Sequence, residues 1–104
     1  MKLELRNKPV FVQWHYDKAI IDENERRTTV YLGGTTCKIT IGEGEDAEEI
    51  TSTIKRHHKD PFKKNTARKI SLKKALDIGV HAIQITKEEK KLFWQAYFAL
   101  RGHF

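Results

Sequence analysis

Alternation of apolar and polar residues recurs in the first half of the chain and marks two of its segments as strands. From Val10 to Tyr16 (VFVQWHY), Val10, Val12, Trp14 and Tyr16 fall on one side, with Phe11, Gln13 and His15 on the other. A period of two in β-branched and aromatic residues fits a pleated strand, and Pro9 suits its entry. Thr35 to Ile41 repeats the pattern, with Thr35, Cys37, Ile39 and Ile41 set against Thr36, Lys38 and Thr40. Thr28 to Leu32 (TTVYL) is another strand candidate. Gly33-Gly34 between them supplies either a tight hairpin turn or a bulge within one long strand. Asp17 to Arg27 is polar apart from Ala19, Ile20 and Ile21, and is expected to loop. Gly42 to Glu49 holds five acids and reads as a solvated connection, placed to shield a basic surface. Ile50 to His57 (ITSTIKRH) has the β-branched content of a further strand.

Beyond His57 the signals become helical. Asp60-Pro61 is a helix-start pair, Asp as N-cap and Pro at the first helical position. This helix is expected to run to about Leu76, with Gly79 as its stop. Ala67, Ser71 and Ala75 lie four apart and form a small-residue stripe for close approach, while Phe62, Ile70, Leu72 and Leu76 fall mainly on the other side. Val80 to Ile85 then reads as an apolar connector. Thr86 and Glu89 match a capping box, opening a helix from Lys87 to Arg101 that presents Leu92, Phe93, Ala96, Tyr97 and Leu100 at helical spacing. Strands followed by helices give an α+β fold: an antiparallel sheet of three or four strands, then two C-terminal helices packed on one face. At 104 residues and 38% hydrophobic content, residues 1–104 suit a single domain with one core.

Charge is the strongest functional clue. Lys55 to Lys74 (KRHHKDPFKKNTARKISLKK) carries nine Lys or Arg against one acid, Asp60, whereas the rest of the chain holds 11 basic and 13 acidic residues. The positive charge is therefore local. Such density fits phosphate binding, so Lys55, Arg56, His57, His58, Lys59, Lys63, Lys64, Arg68, Lys69, Lys73 and Lys74 are the candidate nucleic-acid-binding residues. The expected partner is DNA, RNA or a host ribonucleoprotein. Within the stretch lysine outnumbers arginine seven to two, which favours phosphate contact over bidentate base reading. Asn65, Thr66 and Ser71 are further phosphate donors. A solvated lysine-rich helix would carry the same residues, and an acidic protein face would satisfy the same charges.

Other constellations weigh against chemistry. The lone Cys37 excludes an internal disulfide and alternates with Ile39 and Ile41, as a buried apolar cysteine does. His57, His58, Asn65 and His81 could be set out as a metal nuclease site, but their spacing is wrong for one, and no catalytic residue, metal or cofactor is assigned. Trp14, Tyr16 and Tyr31 could stack bases, although Trp14 shares its side with Val10 and Val12 and suits a core. Trp94 and Phe98, four apart, either complete the enclosure of the last helix or form a partner-binding patch. No apolar run approaches a membrane span, and the single cysteine suits a reducing compartment, so a cytoplasmic location is expected.

DPFKKNTARKISLKKAL followed by ITKEEKKLFWQAY resembles the C-terminal pattern of small phage and prophage accessory proteins, through Asp60, Phe62, Arg68, Lys69, Leu72, Ala75, Leu76, Trp94, Ala96 and Tyr97, with TTCKI at Thr35 to Ile39 upstream. The resemblance implies a mobile-element origin, in a class rich in inhibitors of host defence such as anti-CRISPRs. It carries no activity to individual residues. A non-enzymatic nucleic-acid-binding protein is the expectation, with a phage-encoded inhibitor docking on an acidic face of a host protein as the alternative. The net charge of +6 opposes DNA mimicry.

Overall fold

The computed structural model describes residues 1–24, 26–55 and 63–101, with backbone alone at Tyr31 and Arg101. Four strands, β1 (Lys2–Leu5), β2 (Lys8–Glu23), β3 (Arg26–Ile41) and β4 (Glu48–Lys55), form one antiparallel sheet in the order β1-β2-β3-β4. Two helices follow, α1 (Lys64–Ala82) and α2 (Lys87–Arg101). The α+β expectation holds, with four strands and both helices on one face.

Alternation decides which side is covered. Val10, Val12, Cys37, Ile39, Ile41 and Ile50 point under the helices and are buried; α1 adds Leu72, Ala75 and Leu76, and α2 adds Phe93 and Tyr97. The small-residue stripe lets α1 lie close to the sheet. Ser71 and Ala75 are fully buried, and Ser52 Oγ donates to the Ser71 carbonyl at 2.7 Å. Leu72 and Leu76 join the stripe in the core, because the buried arc of α1 is wide enough to include both sets, while Ile70 is exposed.

Gly79 does not stop α1, which continues to Ala82. The glycine is needed inside the helix: a Cβ there would collide with Ile85 Cδ1 and come within 2.8 Å of Ile50 Cδ1. The helix ends instead where Ile83 and Ile85 both donate their N–H to the Gly79 carbonyl and Gln84 takes a left-handed φ of 58°. The start differs as well. The N-cap is Lys63, in extended conformation with no side-chain cap bond; Asp60 and Pro61 lie outside the described residues.

The capping box on α2 is present. Thr86 N–H donates to Glu89 Oε1 at 3.0 Å and Glu89 N–H to Thr86 Oγ1 at 3.1 Å. Glu89 also accepts from Arg6 Nε and Nη2, each at 2.8 Å, and Arg6 donates to the carbonyls of Ile83 and Gln84. These bonds hold Arg6 and Asn7 at φ 53° and 61° in the tight β1–β2 turn. The sheet edge is thus tied to the start of α2. Strand β1 went unanticipated, although Leu3 and Leu5 alternate with charged residues.

The largest departure lies in Asp17 to Arg27, which is no loop. β2 continues through it to Glu23, the chain turns at Asn24 (φ 50°), and β3 returns from Arg26. Ile20 pairs with Thr29, Ile21 with Thr28, Asp22 with Arg27 and Glu23 with Arg26, so cross-strand pairing stabilises a segment whose composition suggested solvent. Gly33-Gly34 is correspondingly no hairpin turn. Both glycines lie inside β3, where the β2–β3 register shifts between Tyr16 and Lys18, the bulge alternative. Gly33 needs its φ of 92°, and Gly34 leaves room for the Asp17 carboxylate, which a Cβ would strike.

Beyond this bulge no other described strand flanks the ribbon. β1 reaches only Phe11 of β2, and β4 begins its pairing at Gly34 of β3. Residues 18–31 therefore form a two-stranded arm about 20 Å long, at roughly 3.3 Å per residue. Among the described side chains from Lys18 to Leu32, all but Ala19 are exposed, and the molecule measures 52 × 29 × 28 Å.

Candidate nucleic-acid interface

The path of β4 separates the charges of the protein. Glu48 and Glu49 open the strand, next to the acidic connection of Glu43, Glu45 and Asp46, while Lys55 closes it. α1 runs back across the sheet from Lys63 to Gly79, which packs on Ile50 near the acidic end. Lys55, Lys63 and the lysines of the first turns of α1 thus lie at the end from which the arm projects. The acidic connection sits at the far end of β4 and does not shield them.

Seven of the candidate residues are described; Arg56, His57, His58 and Lys59 lie outside the described residues. The seven divide into groups. Lys64 and Arg68, one helical turn apart, face β2. Arg68 is half-buried, its Nε donating to the Tyr16 hydroxyl and its guanidinium carbon 5.8 Å from the Tyr16 ring centre and 5.9 Å from that of Trp14. Lys64 Nζ stands 5.3 Å from the Tyr16 ring centre. Trp14 Nε1 donates to the Arg68 carbonyl at 3.3 Å, fixing this turn of α1 over the strand. Lys69 and Lys73, also four apart, are exposed along the adjoining flank. Lys74 leaves on the opposite flank, where its Nζ donates to the Thr53 carbonyl of β4 at 2.8 Å. Lys55 and Lys63 are exposed at the strand exit and the helix cap.

Four ion pairs occur among the described residues: Arg6–Glu89, Arg27–Asp22, Lys38–Glu49 and Lys90–Asp77. None involves Lys55, Lys63, Lys69 or Lys73. No acid stands in the first turn of α1 either, so its positive dipole end coincides with Lys63 and Lys64. The arrangement can attract an anion.

The aromatic candidates separate in the same way. Trp14 is half-buried against the core and meets Tyr97 edge-on at 6.1 Å, while Tyr16 supports the two cations. The cation-bearing role of Tyr16 was not expected from sequence; its position two residues beyond Trp14 on the covered side is the signal that could have found it. The side chain of Tyr31 is not described. Trp94 packs on the core beside Tyr97, and Phe98 against it is 50% exposed.

Burial pushes the Cys37 thiol up to about 12, which keeps it protonated and unreactive at neutral pH. No cluster of three or more His, Cys, Asp or Glu side chains that could hold a metal occurs among the described residues. No described helix is long and apolar enough to cross a membrane. No family model matches the chain, and neither a curated protein nor a solved structure is similar to it.

Proposed function

We propose that the protein is a non-enzymatic binding module that holds nucleic-acid phosphates, free or within a host ribonucleoprotein, at its basic end. The observation that carries this is the opening of α1, where Lys63, Lys64, Arg68 and Lys69 gather at the positive end of a helix whose first turn lacks an acid. The aromatic support of Arg68 holds one cation in a set position, and the surrounding lysines supply adaptable contacts. Lys74, bound to Thr53, contributes least. The resemblance to phage accessory proteins fits this role.

Fluorescence anisotropy with single- and double-stranded DNA and RNA tests the proposal at two salt concentrations, about 50 and about 200 mM, where counterion release gives a steep loss of affinity. Replacing Lys63, Lys64 and Lys69 together with Ala is expected to weaken binding alike for all sequences and to lower the salt slope by roughly two to three. Absent or salt-insensitive binding overturns the proposal. An acidic protein face fits the same charges, and capture from a nuclease-treated host lysate distinguishes that partner.

A further inference from the structure

The arm leaves the outer edge of β2 unpaired. β1 ends opposite Phe11, so among the described residues no strand covers β2 from Gln13 to Glu23. An open edge presents a row of backbone N–H and C=O groups ready to pair, and a hairpin with only two strands is marginally stable by itself. Ile20 and Ile21 on this edge are 62% and 43% exposed.

The sequence of that edge matches itself. Lys18-Ala19-Ile20-Ile21-Asp22 reads basic, apolar, apolar, apolar, acidic. Turned end for end about Ile20 against a second copy, it sets Lys18 opposite Asp22 twice, Ile20 opposite Ile20, and Ala19 opposite Ile21 on both sides. Lys18, Ile20 and Asp22 share one face of the ribbon, so both charge pairs flank the isoleucine pair there. A one-residue slip would break the pairs and turn the isoleucine toward the wrong face.

The outer edge of β3 has no such symmetry. Its charged residues in the arm, Arg26 and Arg27, are both basic and lie at the tip, followed by Thr28, Thr29 and Val30. A polyanion is a poor occupant for the arm as well. Lys18, Arg26 and Arg27 are balanced by Asp22, Glu23 and Glu25, and Asp22 lies 3.5 Å from Arg27 within the same ribbon.

We propose that two copies of this chain associate through β2, antiparallel about Ile20, so that the sheet continues across a two-fold axis. The interface is isologous, each copy giving the same segment. The five matched residues per copy, Lys18 to Asp22, stop short of Asp17 in the bulge and place the interface at the small end of specific interfaces, so dissociation is expected on the order of micromolar. This association does not depend on the nucleic-acid proposal.

Sedimentation velocity from about 1 to about 200 µM brackets such a constant and tests the proposal. The wild-type protein is expected to pass from monomer to dimer. Lys18→Asp alone, or Asp22→Lys alone, sets like charges opposite each other at both sites and is expected to weaken the dimer on the order of tenfold. The double variant Lys18→Asp/Asp22→Lys restores opposite charges and is expected to recover the wild-type constant to within a few-fold. Ile20→Lys is expected to leave monomer throughout. All of these positions are exposed, and circular dichroism checks that each variant remains folded. A monomeric wild type overturns the proposal, as does a dimer indifferent to the single reversals, a double variant no better than the singles, or assembly beyond the dimer.

Discussion

The two halves of the β2–β3 ribbon use similar residues and are stabilised by different forces. In the inner half, Val10, Val12, Ile39 and Ile41 lie under α1 and α2 and are at most 2% exposed. In the outer half, Ile20, Ile21, Val30 and Leu32 are 37–62% exposed, and Ile20, Ile21 and Val30 pair across the ribbon with Thr29, Thr28 and Ala19. Hydrogen-bonded pairing is common to both; burial belongs to one. The contrast shows that strand propensity and register can extend a ribbon beyond its core, but the extension remains the less stable part. It is also the part with surface left for a partner.

Truncating one isoleucine in each half gives the largest expected difference. Ile39→Ala removes a fully buried side chain and is expected to cost about 2–5 kcal/mol in chemical denaturation, through lost transfer energy and the cavity left behind. Ile20→Ala, at the lowest workable concentration, is expected to cost less than about 1 kcal/mol, because most of its side chain is already in water. Equal costs would mean that the arm is packed in the free protein and would remove the distinction.

Legibility from sequence follows the same division. Where burial dictates the pattern, the residues declared it: alternation in Val10–Tyr16 and Thr35–Ile41 gave strands with the correct covered side, and α2 appeared from Lys87 to Arg101 with its capping box. The arm was illegible because strand residues with two solvated faces lack a hydrophobic period, leaving only the Thr28–Leu32 run as a sign. Gly79 was misread because helix stop and close packing both call for glycine, and only the contacts with Ile50 and Ile85 decide between them. For the candidate site, the sequence gathered the cations by position in the chain. Helical geometry then divided them, sending Lys64 and Arg68 toward Tyr16 and Lys74 to the other flank. Exposed charges leave no period from which that division could be read.

A smaller effect tests how firmly the body is closed at the β1–β2 turn. The hydrogen bond from Arg6, helped by the Thr86 N–H, holds the Glu89 carboxyl below its ordinary value of 4.5. A carboxyl depressed on folding adds stability that is present above its unfolded value and lost as pH falls through its folded value. Wild-type stability is therefore expected to decline on acidification from about pH 5 downward, with Glu89 as one contributor. Glu89→Ala removes both the cap and the anchor of Arg6, and is expected to cost about 1 kcal/mol at pH 7, a value kept small because Arg6 is exposed to solvent. Glu89→Gln can retain the cap without the charge, so a melting curve measured against pH should flatten while most of the neutral-pH stability stays. An unchanged pH profile would show that Arg6 contributes nothing to closing this turn.

The smallest expected effect lies at the seam between the two halves. Thr35 pairs with Tyr16 at the last regular step before the bulge, and it is 1% exposed. Its Oγ1 is buried with no hydrogen-bond partner, the one such side-chain atom among the described residues. A hydroxyl withdrawn from water and left unpaired costs free energy that a methyl group of similar shape does not. Thr35→Val is therefore expected to raise stability by up to about 1 kcal/mol in denaturant titration, with the arm unchanged in its proton chemical shifts. A loss of stability would mean that the hydroxyl makes a bond in solution. The body and arm would then meet through a polar contact at this seam, and the ribbon would be coupled across its bulge more tightly than its exposure implies.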